Sequence, residues 1–192
     1  MRTLSPWSRV KRNLRAWLPR RWRQPLPIPD RLWVHTLERL PFLQSLTQAE
    51  QRDLRLLCAH FLQEKEFHGA HGLRITDAMV LSIAAQACLP LLHLTAPPGS
   101  TDTQRRIAAL DWYDDFVGIV VQPGAALARR EITDAHGVVH RFEEALAGEA
   151  MDRGPLMLSW EEVARADKAA HSGTNVVIHE FVHKIDMRGM SR

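Results

Sequence analysis

One stretch constrains this chain more than any other: Asn175 to Asp186, NVVIHEFVHKID. Val177, Ile178, Phe181 and Ile185 are apolar, while Asn175, His179, His183 and Asp186 make one polar stripe. That spacing predicts a helix buried on most sides. Such a helix needs the rest of the chain closed around it. Residues four apart lie about 40° apart round a helix axis, so His179 and His183 share a face. Two neutral imidazoles so placed can ligate one Zn²⁺. Glu180, about 100° round from His179, can lean over the metal and act as general base towards its water. Asp186 can orient one ligand's other ring nitrogen.

The chain has 192 residues, of which 45% are hydrophobic and 24% charged. That is ordinary for a globular domain and excludes disordered, collagenous and low-complexity classes. No apolar run is long enough to span a membrane as a helix. Cys58 and Cys88, both in apolar helix-like stretches, read as buried, inert thiols of a protein in a reducing compartment. The formal net charge is +3, and residues 1–24 carry eight cations and no acid. The rest of the chain is therefore mildly acidic, which argues against a nucleic-acid-binding core.

That basic segment also holds Val10, Leu14, Trp17 and Leu18 at helical spacing. Three readings stay open: a solvated tail, an interfacial helix making weak contact with a membrane surface, or a partner or nucleic-acid contact. It lacks the apolar core and cleavage site of a secretory signal. Pro25, Pro27 and Pro29 follow as a stiff linker. The expected division is residues 1–30 as tail and linker and residues 31–192 as one domain.

Thr47 and Glu50 form a capping box opening a helix with Leu54, Leu57, Cys58, Phe61 and Leu62 on one stripe. Phe67 to Gly72 reads as a loop. Thr76 caps a second helix to about Leu92, with a stripe of Met79, Val80, Ile83, Ala84, Ala87 and Cys88. Pro97-Pro98-Gly99 is a loop. Phe116 to Val121, Val138 to Phe142 and Pro155 to Trp160 read as strands. Ser159 and Glu162 open a short helix to about Ala170, Ser172-Gly173 is a break, and the last helix runs from about Thr174 to Met187. Helices, then strands, then helices predict an α+β fold.

Other chemistry-bearing residues have plainer readings. His68 and His71 read as solvated loop histidines. Asp111, Asp114 and Asp115 lack the spacing of a calcium loop and read as loop or capping residues.

NVVIHEFVHKIDM resembles the signature of the Mlc titration factor A family, bacterial zinc metallopeptidases of the gluzincin type. The resemblance continues upstream through Phe61-Leu62-x-x-Lys65-x-Phe67, Gly72-Leu73-x-Ile75-Thr76, Ile83-Ala84-Ala85-Gln86-Ala87-Cys88-Leu89, Val120-Val121-x-Pro123-Gly124 and Gly154-Pro155-x-Met157-Leu158-Ser159-Trp160. It covers about Leu37 to Met187. It implies a zincin-like fold, a cytoplasmic location, one zinc and aminopeptidase-like hydrolysis of peptides. It implies His179 and His183 as zinc ligands and Glu180 as catalytic base. It also implies binding of the glucose-responsive repressor Mlc, and so a link to control of the sugar phosphotransferase system. Val182 stands where the family has alanine, on a face expected to be packed.

The resemblance also implies a third ligand, a glutamate well downstream of the motif. The nine residues after His183 hold no Glu or His. The expectation is a chain that stops short of a complete catalytic site, with weak or absent zinc and impaired activity. The alternative to catalysis is a non-catalytic protein that titrates the repressor.

Overall fold

The computed structural model describes residues 24–94, 103–124, 126–133, 139–146, 148–150, 155–166 and 175–190. The basic segment 1–23, the Pro97-Pro98-Gly99 loop and the Ser172-Gly173 break lie outside the described residues.

The chain opens with helix α1 (Asp30–Arg39). Arg55 ties the preceding segment down, donating to the carbonyl of Ile28 and, at 2.5 Å, to the Asp30 carboxylate. Helix α2 (Gln48–Glu64) starts as its sequence predicts. The Thr47 hydroxyl accepts from the Glu50 amide, and the Glu50 carboxylate accepts from the Thr47 amide at 2.7 Å. The predicted stripe, Leu54 to Leu62, is buried.

Helix α3 (Asp77–Cys88) is capped by Thr76, whose hydroxyl accepts from the Met79 amide. Every residue from Met79 to Cys88 is buried. The helix is thus enclosed all round rather than along one stripe, as an element packed on α1, α2 and the last helix must be. It stops at Cys88, short of the predicted Leu92, and the chain continues in tight turns.

Helix α4 (Thr103–Ile107) runs into a 3₁₀ segment, Ala108–Tyr113. Tyr113 is fully buried and donates to the carbonyl of Ala87 at 2.8 Å. The aspartates expected in a solvated loop therefore sit beside an anchored turn.

Six strands follow the order β1 (Glu66–Gly69), β2 (Gly118–Gln122), β3 (Ala126–Thr133), β4 (Val139–Leu146), β5 (Gly148–Ala150) and β6 (Leu156–Ser159). One sheet has the order β1-β2-β6-β5, with the first three strands parallel and β5 antiparallel to β6. Strands β3 and β4 pair separately as an antiparallel ladder. Parallel neighbours need long crossovers, and the helices between β1 and β2 provide one. In β2, Ile119 and Val121 are buried, as the run of β-branched residues predicts.

Strand β1 corrects the sequence reading, which takes Phe67 to Gly72 as a loop. Only Phe67 in it is buried, so no alternation announces a strand. Its order comes from β2: Glu66 N–H donates to Val117, and Ala70 N–H to Val121. The loop proper is the turn at His71 and Gly72, with φ of 51° and 77°. Gly69 is required by close approach, since a Cβ there would stand 1.9 Å from the carbonyl oxygen of Leu73.

Helix α5 (Trp160–Ala164) is capped by Ser159, and the rest of the stretch expected to reach Ala170 runs beyond the described residues after Ala166. Helix α6 (Val176–Met190) carries the His-Glu-x-x-His stretch. The architecture is α+β: a helical first half, a small sheet, and the motif helix last. Among the described residues no helix is long and apolar enough to cross a membrane.

Candidate metal centre on the last helix

Helix α6 lies against β5, α3, α5 and the 3₁₀ segment. Its start is fixed by Asn175, whose side-chain oxygen accepts from the Ile178 amide at 3.0 Å, an N-cap. The same side chain donates to Gln86 Oε1 at 2.8 Å. Gln86 is fully buried in α3 and donates onward to the Ser82 carbonyl at 3.1 Å. Asn175 thus joins the motif helix to the central helix, one turn before His179.

The inner face is as predicted at Val177 and Phe181, both buried. The Phe181 ring stands 5.1 Å from Tyr113, 5.7 Å from Phe61 and 6.0 Å from Phe116. Such tilted and edge-on contacts add to plain area burial.

On the outer face, His179 and His183 are exposed, with Nε2 atoms 2.9 Å apart and ring planes at 81°. At that distance the two nitrogens are within hydrogen-bond reach, with the donor set by the tautomer. Two nitrogens bound to one zinc at tetrahedral angles stand roughly 3.3 Å apart. Sharing one metal ion therefore asks for about half an ångström of added separation. Glu180, 9% exposed, lies at the margin between buried and open faces.

Two expectations change here. Val182 is 37% exposed, so the face expected to be packed is open. Asp186 is exposed and makes no hydrogen bond to either histidine among the described residues. Among the described residues, no cluster of three His, Cys, Asp or Glu side chains forms a metal site. His68 and His71 are exposed. Cys58 and Cys88 are buried and unbridged. Burial, and then the hydrogen bond with Cys58, push the Cys88 thiol well above its ordinary pKa.

The sequence reading misses Lys184 altogether. It is fully buried, and its Nζ lies 3.6 Å from the Asp115 carboxylate and 5.3 Å from the centre of the Phe116 ring. The signal was its spacing, three residues after Phe181 and seven after Val177, on the buried side of the wheel.

Residues 14–191 match the family model of the glucose-regulated metallo-peptidases M90. This chain belongs to that family. It is similar to Mlc titration factor A of Klebsiella pneumoniae (strain 342), with 30% identity over 187 residues, covering 97% of this chain and 59% of that protein. It is also similar to Mlc titration factor A of Salmonella arizonae, with 32% identity over 163 residues, covering 85% of this chain and 58% of the relative. A third similar protein of the same name, from Yersinia pestis (strain Pestoides F), is 30% identical over 169 residues, covering 87% and 56%. The chain spans a little under three fifths of the length of these relatives. The family match includes helix α6.

Proposed function

We propose that this M90 family chain supplies the catalytic helix of a zinc-dependent, aminopeptidase-like peptidase. The observation that carries it is the convergence of two Nε2 atoms, 2.9 Å apart, on the one open face of a helix otherwise packed into the core. The donor set suits zinc, since His179 and His183 offer two imidazole nitrogens and need only a small separation to share one ion. A catalytic zinc takes three protein ligands and keeps a position open. These histidines provide two of the three. When bound, zinc lowers the pKa of water and polarises a carbonyl. Glu180, the neighbour of the first ligand, takes the proton of the attacking water and passes it to the leaving amine. Its burial limits the solvation of the carboxylate.

A second reading rests on the relatives' name: the protein captures the repressor Mlc, with or without hydrolysis. The two are separated by one pair of variants. His183→Ala is expected to weaken zinc binding about tenfold or more, read by calorimetric titration of the 192-residue chain. Equal affinities in parent and variant would overturn the metal reading. Glu180→Gln is expected to keep zinc affinity and lower peptide hydrolysis about 10²- to 10⁴-fold. If Mlc binding survives that change, capture and hydrolysis are separate functions. The buried free thiols and the family resemblance favour a cytoplasmic setting for both.

A further inference from the structure

Helix α6 is held by two kinds of contact. Phe181 and Val177 bury apolar surface, and that attraction has no direction, so it tolerates a small rotation about the helix axis. A metal pair does not, because rotation carries both imidazoles off the open face together. Besides the Asn175 cap, the helix carries a buried charged contact at Lys184, the residue directly after His183. Its ammonium is fully buried and meets Asp115 Oδ2 at 3.6 Å.

Asp115 is a fixed point. The Lys65 ammonium, itself buried, donates to the carbonyls of Tyr113 and Phe116, the latter at 2.6 Å, and so holds the backbone on both sides of Asp115. The Phe116 ring lies beneath both ammonium groups, 4.0 Å from Lys65 Nζ and 5.3 Å from Lys184 Nζ. Asp115 Oδ1 is buried and accepts no hydrogen bond among the described residues, so its charge leans on Lys184. A buried ion pair is a weak source of stability compared with apolar side chains of equal volume. Turning α6 would draw the buried ammonium away from the carboxylate, and separating two buried charges is costly.

We infer that Lys184 and Asp115 are a positioning pair, setting the rotation of α6 so that His179 and His183 converge on the open face. This rests on the reading of those histidines as metal ligands. Neither residue touches the reacting atoms; both act through the helix.

The test uses the 192-residue chain and zinc chloride alone, titrated calorimetrically well below the unfolding midpoint, with Co²⁺ absorption as a spectroscopic check on ligand geometry. Lys184→Met and Asp115→Asn are each expected to weaken zinc about tenfold and to alter the Co²⁺ bands. Lys184→Arg, which keeps the charge, is expected to restore binding to within about twofold of the parent. A merely structural role would lower the melting temperature but leave zinc affinity and the Co²⁺ bands of the folded protein unmoved. Folded Lys184→Met and Asp115→Asn proteins that bind as the parent does would overturn the inference. Should Lys184→Met fail to fold, Asp115→Asn, a near-isosteric change at a partly exposed side chain, decides alone. The His183→Ala control keeps the two readings apart: if it binds zinc like the parent, the metal assignment fails and this inference falls with it.

Discussion

At the residue scale the informative groups are charges in places where charge is costly. Lys65 is 4% exposed, yet it is satisfied by two carbonyls and the face of Phe116. Lys65→Met keeps much of the volume but removes the donor from both carbonyls. It is expected to destabilise the protein by about 2–4 kcal/mol, read as a lower urea midpoint with an unchanged slope. A loss below about 0.5 kcal/mol would mean that water replaces the ammonium there. Neither buried lysine is identifiable from composition, since a lysine among apolar neighbours usually reaches back to solvent. Their burial depends on what stands opposite: carbonyls for Lys65, and the Asp115 carboxylate for Lys184. The two histidines are the opposite case. Their shared face follows from helical spacing alone, and the structure adds only the distance between them.

At the scale of elements, local chemistry sets helix starts, and tertiary contact sets helix ends and strands. Thr47, Thr76 and Ser159 all cap as their sequences predict. At α2, hydrogen bonds from Thr47, first its hydroxyl and then its amide, hold the Glu50 carboxyl below its ordinary pKa. A carboxyl depressed in the fold gives stability that is present above its unfolded pKa and lost as pH falls through its folded one. Thr47→Ala is therefore expected to cost about 1 kcal/mol at neutral pH. The cost should shrink as acid protonates Glu50, and urea titrations of parent and variant at about pH 7 and pH 3 read the difference. A penalty that does not change with pH would show that the carboxylate adds nothing to the cap. Strand β1 is the contrary example: four residues with one buried side chain carry no period, and their backbone is ordered by β2. The end of α3 comes earlier than periodicity predicts. Apolar residues continue past Cys88, but they pack through turns rather than along the helix.

Across the whole molecule, the aromatic cluster of Phe61, Tyr113, Phe116 and Phe181 joins α2, the 3₁₀ segment, the approach to β2 and the motif helix. The candidate site is therefore built on the same core that holds the first half of the chain. Phe181→Ala is expected to cost about 3–5 kcal/mol and to lower one cooperative transition rather than split it in two. Calorimetry would show the difference, and a separate early transition of the last helix would contradict that picture. By itself the sequence determined the helix bearing His179, Glu180 and His183, the face the histidines share, the cap at Thr47 and the α+β class. Each of these follows from backbone periodicity or from groups a few residues apart. Long-range packing is what buries Lys184 against Asp115, makes Glu66 to Gly69 a strand and leaves Val182 exposed. Spacing places Lys184 on the buried side of its helix, but the partners that settle each outcome stand far along the chain, where local spacing cannot name them.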